Sequence, residues 1–274
     1  MEYIKITDLD FSYEDKSIFK NINLSLKSGN RYVLAGLNGC GKSTLLKIIG
    51  GKVLCRSNKV KVKGNDPFRN TICNSYITYI NNEWGMRTVA YCGYNIPLQS
   101  SITVKEMSKQ IKKQYPERNQ ELLHILDINE EWRLNSISEG QRKRVQLYLN
   151  LIKPFDICLL DEITVNLDIL VKDKLLDYLK KESIRNNSCI IYVTHIFDGL
   201  DNWFTNLIYI NKQCVINEVP NREIELSGSI YSFLLENFKQ EEKTSKNDWE
   251  QKSDEIVINN AGGYSDGVLI NYIC

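Results

Sequence analysis

The stretch GLNGCGKST, residues 36–44, follows the apolar run RYVLA and precedes LLKIIGG. It fits G-x-x-x-x-G-K-[ST], with Gly36, Gly41, Lys42 and Ser43 in the fixed places. Glycines are needed there because side chains would hold the backbone N–H groups away from phosphate oxygens, and the helix that follows offers its positive end. Lys42 then supplies a mobile cation to the β- and γ-phosphates, and Ser43 an oxygen to Mg²⁺. A glycine-rich turn that only joins a strand to a helix would match the same letters. The buried strand before it and the helix after it are what phosphate binding requires.

A phosphate loop needs a carboxylate strand, and FDICLLDE supplies one. A mostly apolar run ends in Asp161, placed to hold hydrated Mg²⁺, and Glu162, placed to accept a proton from attacking water. Because strand side chains alternate, the two are expected to point different ways. Two acids capping a surface strand are the plainer alternative. A further apolar run, IIYVTHIF, ends at His195, whose imidazole could hydrogen-bond a γ-phosphate oxygen at the same end of the sheet. In SISEGQ, Ser138 and Gln141 have the spacing of a capping box, which leaves Gly140 unexplained in a first turn where glycine costs roughly 1 kcal/mol. A helix start with serine, glycine and glutamine free is also an anion site, and it could serve a second nucleotide.

The order of elements sets the fold class. YIKITDLDFSY, INLSL and RYVLA alternate apolar and polar residues and read as an opening group of strands. STLLKIIGG reads as a helix stopped by Gly50 and Gly51, and KVKVKG and SYITYI as short strands. From about Thr103 to Ile152 the period is helical. DICLLDE, DILVKDKLLDYLKKES, SCIIYVTH, NLIYINK and CVINEV then alternate strand and helix before two closing strands, as a mostly parallel sheet flanked by helices requires. Residues 240–255 are highly charged and read as a mobile linker, with an apolar tail after it.

Composition bounds the function classes. Lysine plus arginine number 35 and aspartate plus glutamate 34, so a net charge of +1 gives no field to collect nucleic acid or an anionic membrane, and no direct nucleic-acid contact is expected. The acidic, alternating N-terminus is unlike a leader peptide, and no apolar run reaches the roughly 18 residues of a membrane helix. Eight cysteines without a C-x-x-C pair, several inside apolar runs, read as reduced core residues of a cytosolic protein.

Taken together, the motifs resemble an ATP-binding cassette (ABC) ATPase: GLNGCGKS the Walker A motif, ICLLDE Walker B, ISEGQ the signature, NLD at 166–168 the D-loop, His195 the switch histidine and Gln99 in IPLQSSITV the Q-loop glutamine. The resemblance covers roughly residues 3–225. It implies a P-loop NTPase of ABC type, with a mostly parallel sheet, an N-terminal antiparallel β subdomain and an α-helical insert at about 100–152, followed by an extension at 226–274. It implies nucleotide contacts from Gly36, Asn38, Gly39, Cys40, Gly41, Lys42, Ser43 and Thr44, and metal contacts from Ser43, Gln99 and Asp161. Glu162, His195, Gln99 and Lys42 are the implied catalytic groups, and Tyr13 would stack on adenine, or equally on guanine. It further implies ATP-dependent head-to-tail homodimers in which Ser138, Gly140, Gln141 and Asp168 complete the partner's site. Glu139 stands where the signature has its first glycine and Ile137 where it has leucine, so the acid must turn outward.

Finer stretches, among them EWRLNSISEGQRKRVQL, LLDEITVNLDILVKDKLLDYLKKE and YVTHIFDGLDNW, are similar to the soluble, stand-alone ABC ATPases associated with the eukaryotic Ccr-Not complex. That similarity implies a cytoplasmic, and also nuclear, ATPase regulating a protein complex. The alternatives are the energy subunit of a membrane ABC transporter, or an ATP-dependent scaffold of the iron-sulfur assembly type with little turnover.

Overall fold

The computed structural model describes residues 1–242 apart from 15, 57, 83, 85, 89–94, 98–100, 165, 166, 212–215 and 227. Gln99, the first D-loop residue Asn166, most of the charged segment at 240–255 and the apolar tail therefore lie outside the described residues.

The chain opens with a long antiparallel hairpin, β1 (Glu2–Tyr13) and β2 (Lys16–Lys27), to whose first strand β4 (Val60–Val62) pairs. The alternation read in the sequence is borne out here: Ile4, Ile6 and Leu9 face inward from β1, and Ile22, Leu24 and Leu26 from β2.

The main sheet comprises β3 (Arg31–Gly36), β5 (Ile77–Ile80), β8 (Ile157–Asp161), β9 (Cys189–Val193), β10 (Asn206–Ile210) and β11 (Ile216–Pro220), in the order β11-β10-β3-β9-β8-β5. All neighbours are parallel except the edge pair β10 and β11. β3 lies between β9 and β10, which bears out the buried strand read before the loop and corrects the alternation also read in RYVLA. Every residue of β3 is buried, so it is a central strand covered on both faces. The two faces feed two cores. Tyr32, Leu34, Ile157, Leu159, Ile191 and Ile208 pack with the N-terminal hairpin and α1 (Lys42–Ile49), while Val33, Cys158, Leu160, Ile190 and Leu207 pack against the other helices. A separate two-stranded hairpin, β6 (Met86–Thr88) with β7 (Asn95–Pro97), was not anticipated from the sequence.

The helical segment contains α2 (Val104–Ser108), α3 (Ile111–Gln114), α4 (Pro116–Ile125) and α5 (Glu139–Leu151). Thr103 and Glu106 start α2 with a reciprocal capping box, and Pro116 starts α4, where its missing N–H costs nothing. The segment is bolted down by Arg118. Its guanidinium donates to the Leu151 and Ile152 carbonyls at the end of α5, and at 2.7 Å to Glu182 of α6 (Ile169–Arg185). After α7 (Asn221–Glu225), a helix over 230–242 lays Ile230 and Leu234 into the core, and Phe238 lies beside Tyr209. Among the described residues no helix is long and apolar enough to cross a membrane.

Candidate active site

Parallel strands bring their C-terminal ends to one edge, where β3, β8 and β9 release Gly36, Asp161 and the turn to His195. Gly36 has no alternative residue. A Cβ there would strike the Ile210 carbonyl oxygen and lie 2.7 Å from Cys40 Sγ. Gly41 takes a left-handed backbone, φ 97°, immediately before α1, and its Cβ position is 2.8 Å from Ile18 Cγ2 and from the Phe19 ring. The loop is thus wedged between β10 and β2. Asn38 and Gly39 are exposed at its tip, Cys40 is buried beneath, and Thr44 is partly covered in the first turn of α1.

Lys42 bends back over the loop, its ammonium donating to the carbonyls of Gly36 at 2.9 Å and Leu37 at 3.1 Å. Ser43 Oγ donates to Asp161 Oδ1 at 3.2 Å, and the Tyr79 hydroxyl donates to the other carboxylate oxygen at 3.4 Å. Burial pushes the Asp161 carboxyl above its ordinary value, and the Ser43 hydrogen bond opposes that rise. A hydroxyl and a carboxylate converging this way are hard oxygen donors of the kind Mg²⁺ takes.

Glu162 follows β8 with φ 53°, left-handed and unusual for a residue with a side chain. Its N–H donates to the Val193 carbonyl, and its carboxylate oxygen Oε1 lies 3.0 Å from His195 Nε2. The two acids do diverge, but a left-handed backbone beyond the strand turns Glu162, rather than the strand alternation expected. Tyr13 is 44% exposed and packs perpendicular to Phe11, centroids 4.9 Å apart.

The structure therefore gathers the loop residues, Asp161, Glu162 and His195. It does not bring the signature residues to them. Ser138 and Gln141 are engaged with each other in the capping box at the start of α5, the Ser138 N–H donating to Gln141 Oε1 at 2.9 Å and the Gln141 N–H to Ser138 Oγ at 3.2 Å. This corrects the reading of a helix start with those side chains free. Gly140 follows in the first turn, and Glu139 is exposed beside Ser138. Asp168 caps α6 by position only, since its carboxylate pairs with Arg144, which also holds Asp127 at 3.0 Å.

A cleft of about 200 Å³ between the loop and the carboxylates is lined by Ser43, Lys47, Tyr79, Asn81, Asn82, Asp161 and Glu162. Tyr79, Asn81 and Asn82 were missed in the sequence. Their only signal is that SYITYI ends there, and nothing in the letters says that this strand lies beside β8. A larger groove, about 790 Å³, runs beside the hairpin past Phe11, Phe19 and Arg56, and includes neither Lys42 nor either acid.

Comparison with known proteins agrees with this geometry. The family described as ABC transporter matches residues 19–165, more than half of the chain. This chain belongs to the ABC ATPase family. It is 36% identical over 260 residues to ABC transporter I family member 20 of Arabidopsis thaliana, covering 89% of this chain and 79% of the relative. It is 34% identical over 242 residues to CCR4-associated factor 16 of Saccharomyces cerevisiae, covering 82% and 81%. Among solved structures, the ATP-binding cassette MJ0796, described as a dimeric post-hydrolysis state bound to ADP and Pi, aligns with TM-score 0.64 at 21% identity over 80% of this chain and 99% of that one. This ABC ATPase thus has the P-loop architecture expected: a mixed sheet, an antiparallel N-terminal sheet and a helical segment.

Proposed function

We propose that this ABC ATPase binds ATP with Mg²⁺ between two head-to-tail copies and hydrolyses it to drive or regulate a protein complex. Gly36, Asn38, Gly39, Cys40, Gly41, Lys42, Ser43 and Thr44 wrap the phosphates, with Tyr13 on the base. Ser43 and Asp161 would hold Mg²⁺, which when bound would supply charge neutralisation at the phosphates. Glu162 accepts the proton of the attacking water, and His195, held against it, steadies that carboxylate and donates toward the γ-phosphate. Lys42 leaves its two carbonyls to meet phosphate oxygens. Ser138, Gly140, Gln141 and Asp168 serve the partner's nucleotide, and Gln99 is assigned to the metal and the water.

The observation that carries this reading is the division of the functional set. The loop, Asp161, Glu162 and His195 share one edge of the sheet, while Ser138 and Gln141 sit at the start of α5, bonded to each other. The cassette at 1–225 carries the chemistry and 226–274 is its extension. The name of the yeast relative, CCR4-associated factor 16, supports a Ccr-Not-linked role in transcription or mRNA control, in the cytoplasm and nucleus.

The test is Glu162→Gln. Sedimentation with ATP and Mg²⁺ should yield a stable dimer that EDTA dissolves, with turnover lost. Unchanged turnover would remove Glu162 from its role, and a chain saturated with ATP yet monomeric would remove the shared site.

A further inference from the structure

The helix that starts at Ser138 also reaches the cleft of its own subunit. β5 runs parallel to β8 with Ile80 opposite Leu160, so Asn81 and Asn82 emerge at the same edge as Asp161 and Glu162, and both asparagines line the cleft. From α5, Lys143 donates to the Asn81 carbonyl at 2.9 Å and to Asn82 Oδ1 at 2.8 Å. One turn further, Gln146 donates to the same Asn81 carbonyl at 2.7 Å. Two side chains on one face of one helix therefore pin the two residues that follow β5 beside the phosphate site.

Lysine is an expensive choice for this duty. Lys143 is buried, and among the described residues no carboxylate lies within ion-pair distance of its ammonium; its hydrogen-bond acceptors are neutral amide oxygens. Burying an ammonium costs stability that a shorter neutral side chain would not, and the carboxylates of Asp161 and Glu139, acting from beyond contact, offset only part of that cost. What lysine adds is reach and three donors on one point, enough to hold a backbone carbonyl and a side-chain amide together. Packing alone does not call for it.

We infer that Lys143 is a positioning residue that couples the two nucleotide sites of a dimer, fixing Asn82 at the mouth of its own cleft while moving as one body with Ser138. The inference rests on the shared-site reading above. Ser138 and Lys143 are five positions apart, about 7–8 Å along a helix at 1.5 Å per residue, on an element of 13 residues with a closed capping box. A shift of Asn82 as the cleft fills is transmitted through Lys143 to the helix start that meets the partner's triphosphate. The reverse holds when the partner's nucleotide pulls on Ser138.

The test combines Lys143→Met, Lys143→Arg and Asn82→Ala in full-length protein. Coupling predicts that Lys143→Met and Asn82→Ala each lower kcat about tenfold, and that the double variant is no worse than either alone, the mark of residues acting as a unit. In the Glu162→Gln background each should weaken ATP-dependent dimerisation by a similar factor. Fluorescent ATP-analogue affinity on single chains, kept apart by Ser138→Arg, should change less than about twofold, since uniform binding is untouched. Lys143→Arg should recover part of kcat. Additive losses, or a lowered melting temperature with kcat and dimerisation intact, would make Lys143 a packing residue and overturn the inference. If Glu162→Gln alone forms no dimer, the shared site falls, while the kcat cycle still reports whether Lys143 and Asn82 act as a unit.

Discussion

Glu162 and His195 leave adjacent parallel strands, and their side chains meet with Oε1 3.0 Å from Nε2 at the cleft edge. Neither could be aimed there by strand geometry alone. The left-handed turn at Glu162 swings its carboxylate across to the end of β9. A pair so placed divides one task, so its members should not contribute independently.

Glu162→Gln is expected to lower kcat about 10²–10⁴-fold, the usual contribution of a general base, with little change in ATP affinity. His195→Ala should fall in the same direction by less, and the double variant should match Glu162→Gln. Steady-state ATPase kinetics on the four proteins check this. Additive losses would show that the 3.0 Å contact is not used in turnover.

Gly41→Ala tests the wedge that holds the phosphate loop. The added methyl meets Ile18 and Phe19 at 2.8 Å in a left-handed backbone, so a cost of about 1–3 kcal/mol is expected from overpacking. Gly64→Ala is the control. Its φ of 83° is also left-handed, but nothing lies within 4 Å of the new atom, leaving only backbone strain of about 1–2 kcal/mol. Chemical denaturation of both variants checks the difference, and only Gly41→Ala should also lose nucleotide binding.

Glu182→Ala should cost about 3 kcal/mol without altering ATP affinity. It leaves Arg118 part-buried at the α4–α6 junction, which costs the lower end of the range for a broken buried pair because the Leu151 and Ile152 carbonyls still accept from it. Melting curves with and without nucleotide separate the two effects.

The Lys143 ammonium is pulled by burial from 10.5 down to about 8, with Asp161 and Glu139 opposing the fall. Between those two pH values the unfolded chain binds more protons than the folded one, so this group's contribution to stability rises with pH across that window. Wild type should therefore gain on Lys143→Met from about pH 8 to 10 by an amount on the order of 1–3 kcal/mol. Comparing the two nucleotide-free proteins cancels the buried thiols Cys158 and Cys189, which titrate in both. A flat difference would contradict the buried, charged placement of Lys143.

Much of this site was legible as letters because phosphate chemistry tolerates few alternatives. Gly36, Gly41, Lys42 and Ser43 are each demanded by a clash or a bond that the structure displays, and the acids after β8 and the histidine after β9 follow from the edge rule for parallel sheets. What was illegible depends on neighbours distant in sequence. That RYVLA is a buried strand could be read, but not what accommodates its two polar-tipped residues: the Arg31 guanidinium donates to the Trp203 carbonyl and the Ser183 hydroxyl, and Tyr32 lies in the core. Asn81 and Asn82 look like a strand's polar stop until β5 is seen beside β8. The capping box at Ser138 was readable, but whether its side chains were free was not.

The most direct measurement mixes two defective chains. Lys42→Ala removes the cation from the loop and Ser138→Arg obstructs the signature, so each alone should hydrolyse ATP at background. In a mixed dimer the sound loop of one chain faces the sound signature of the other, and the account predicts that mixing restores a measurable fraction of the wild-type rate. A mixture as inert as its components, or a Ser138→Arg chain that turns over normally by itself, would contradict a triphosphate site built from two copies.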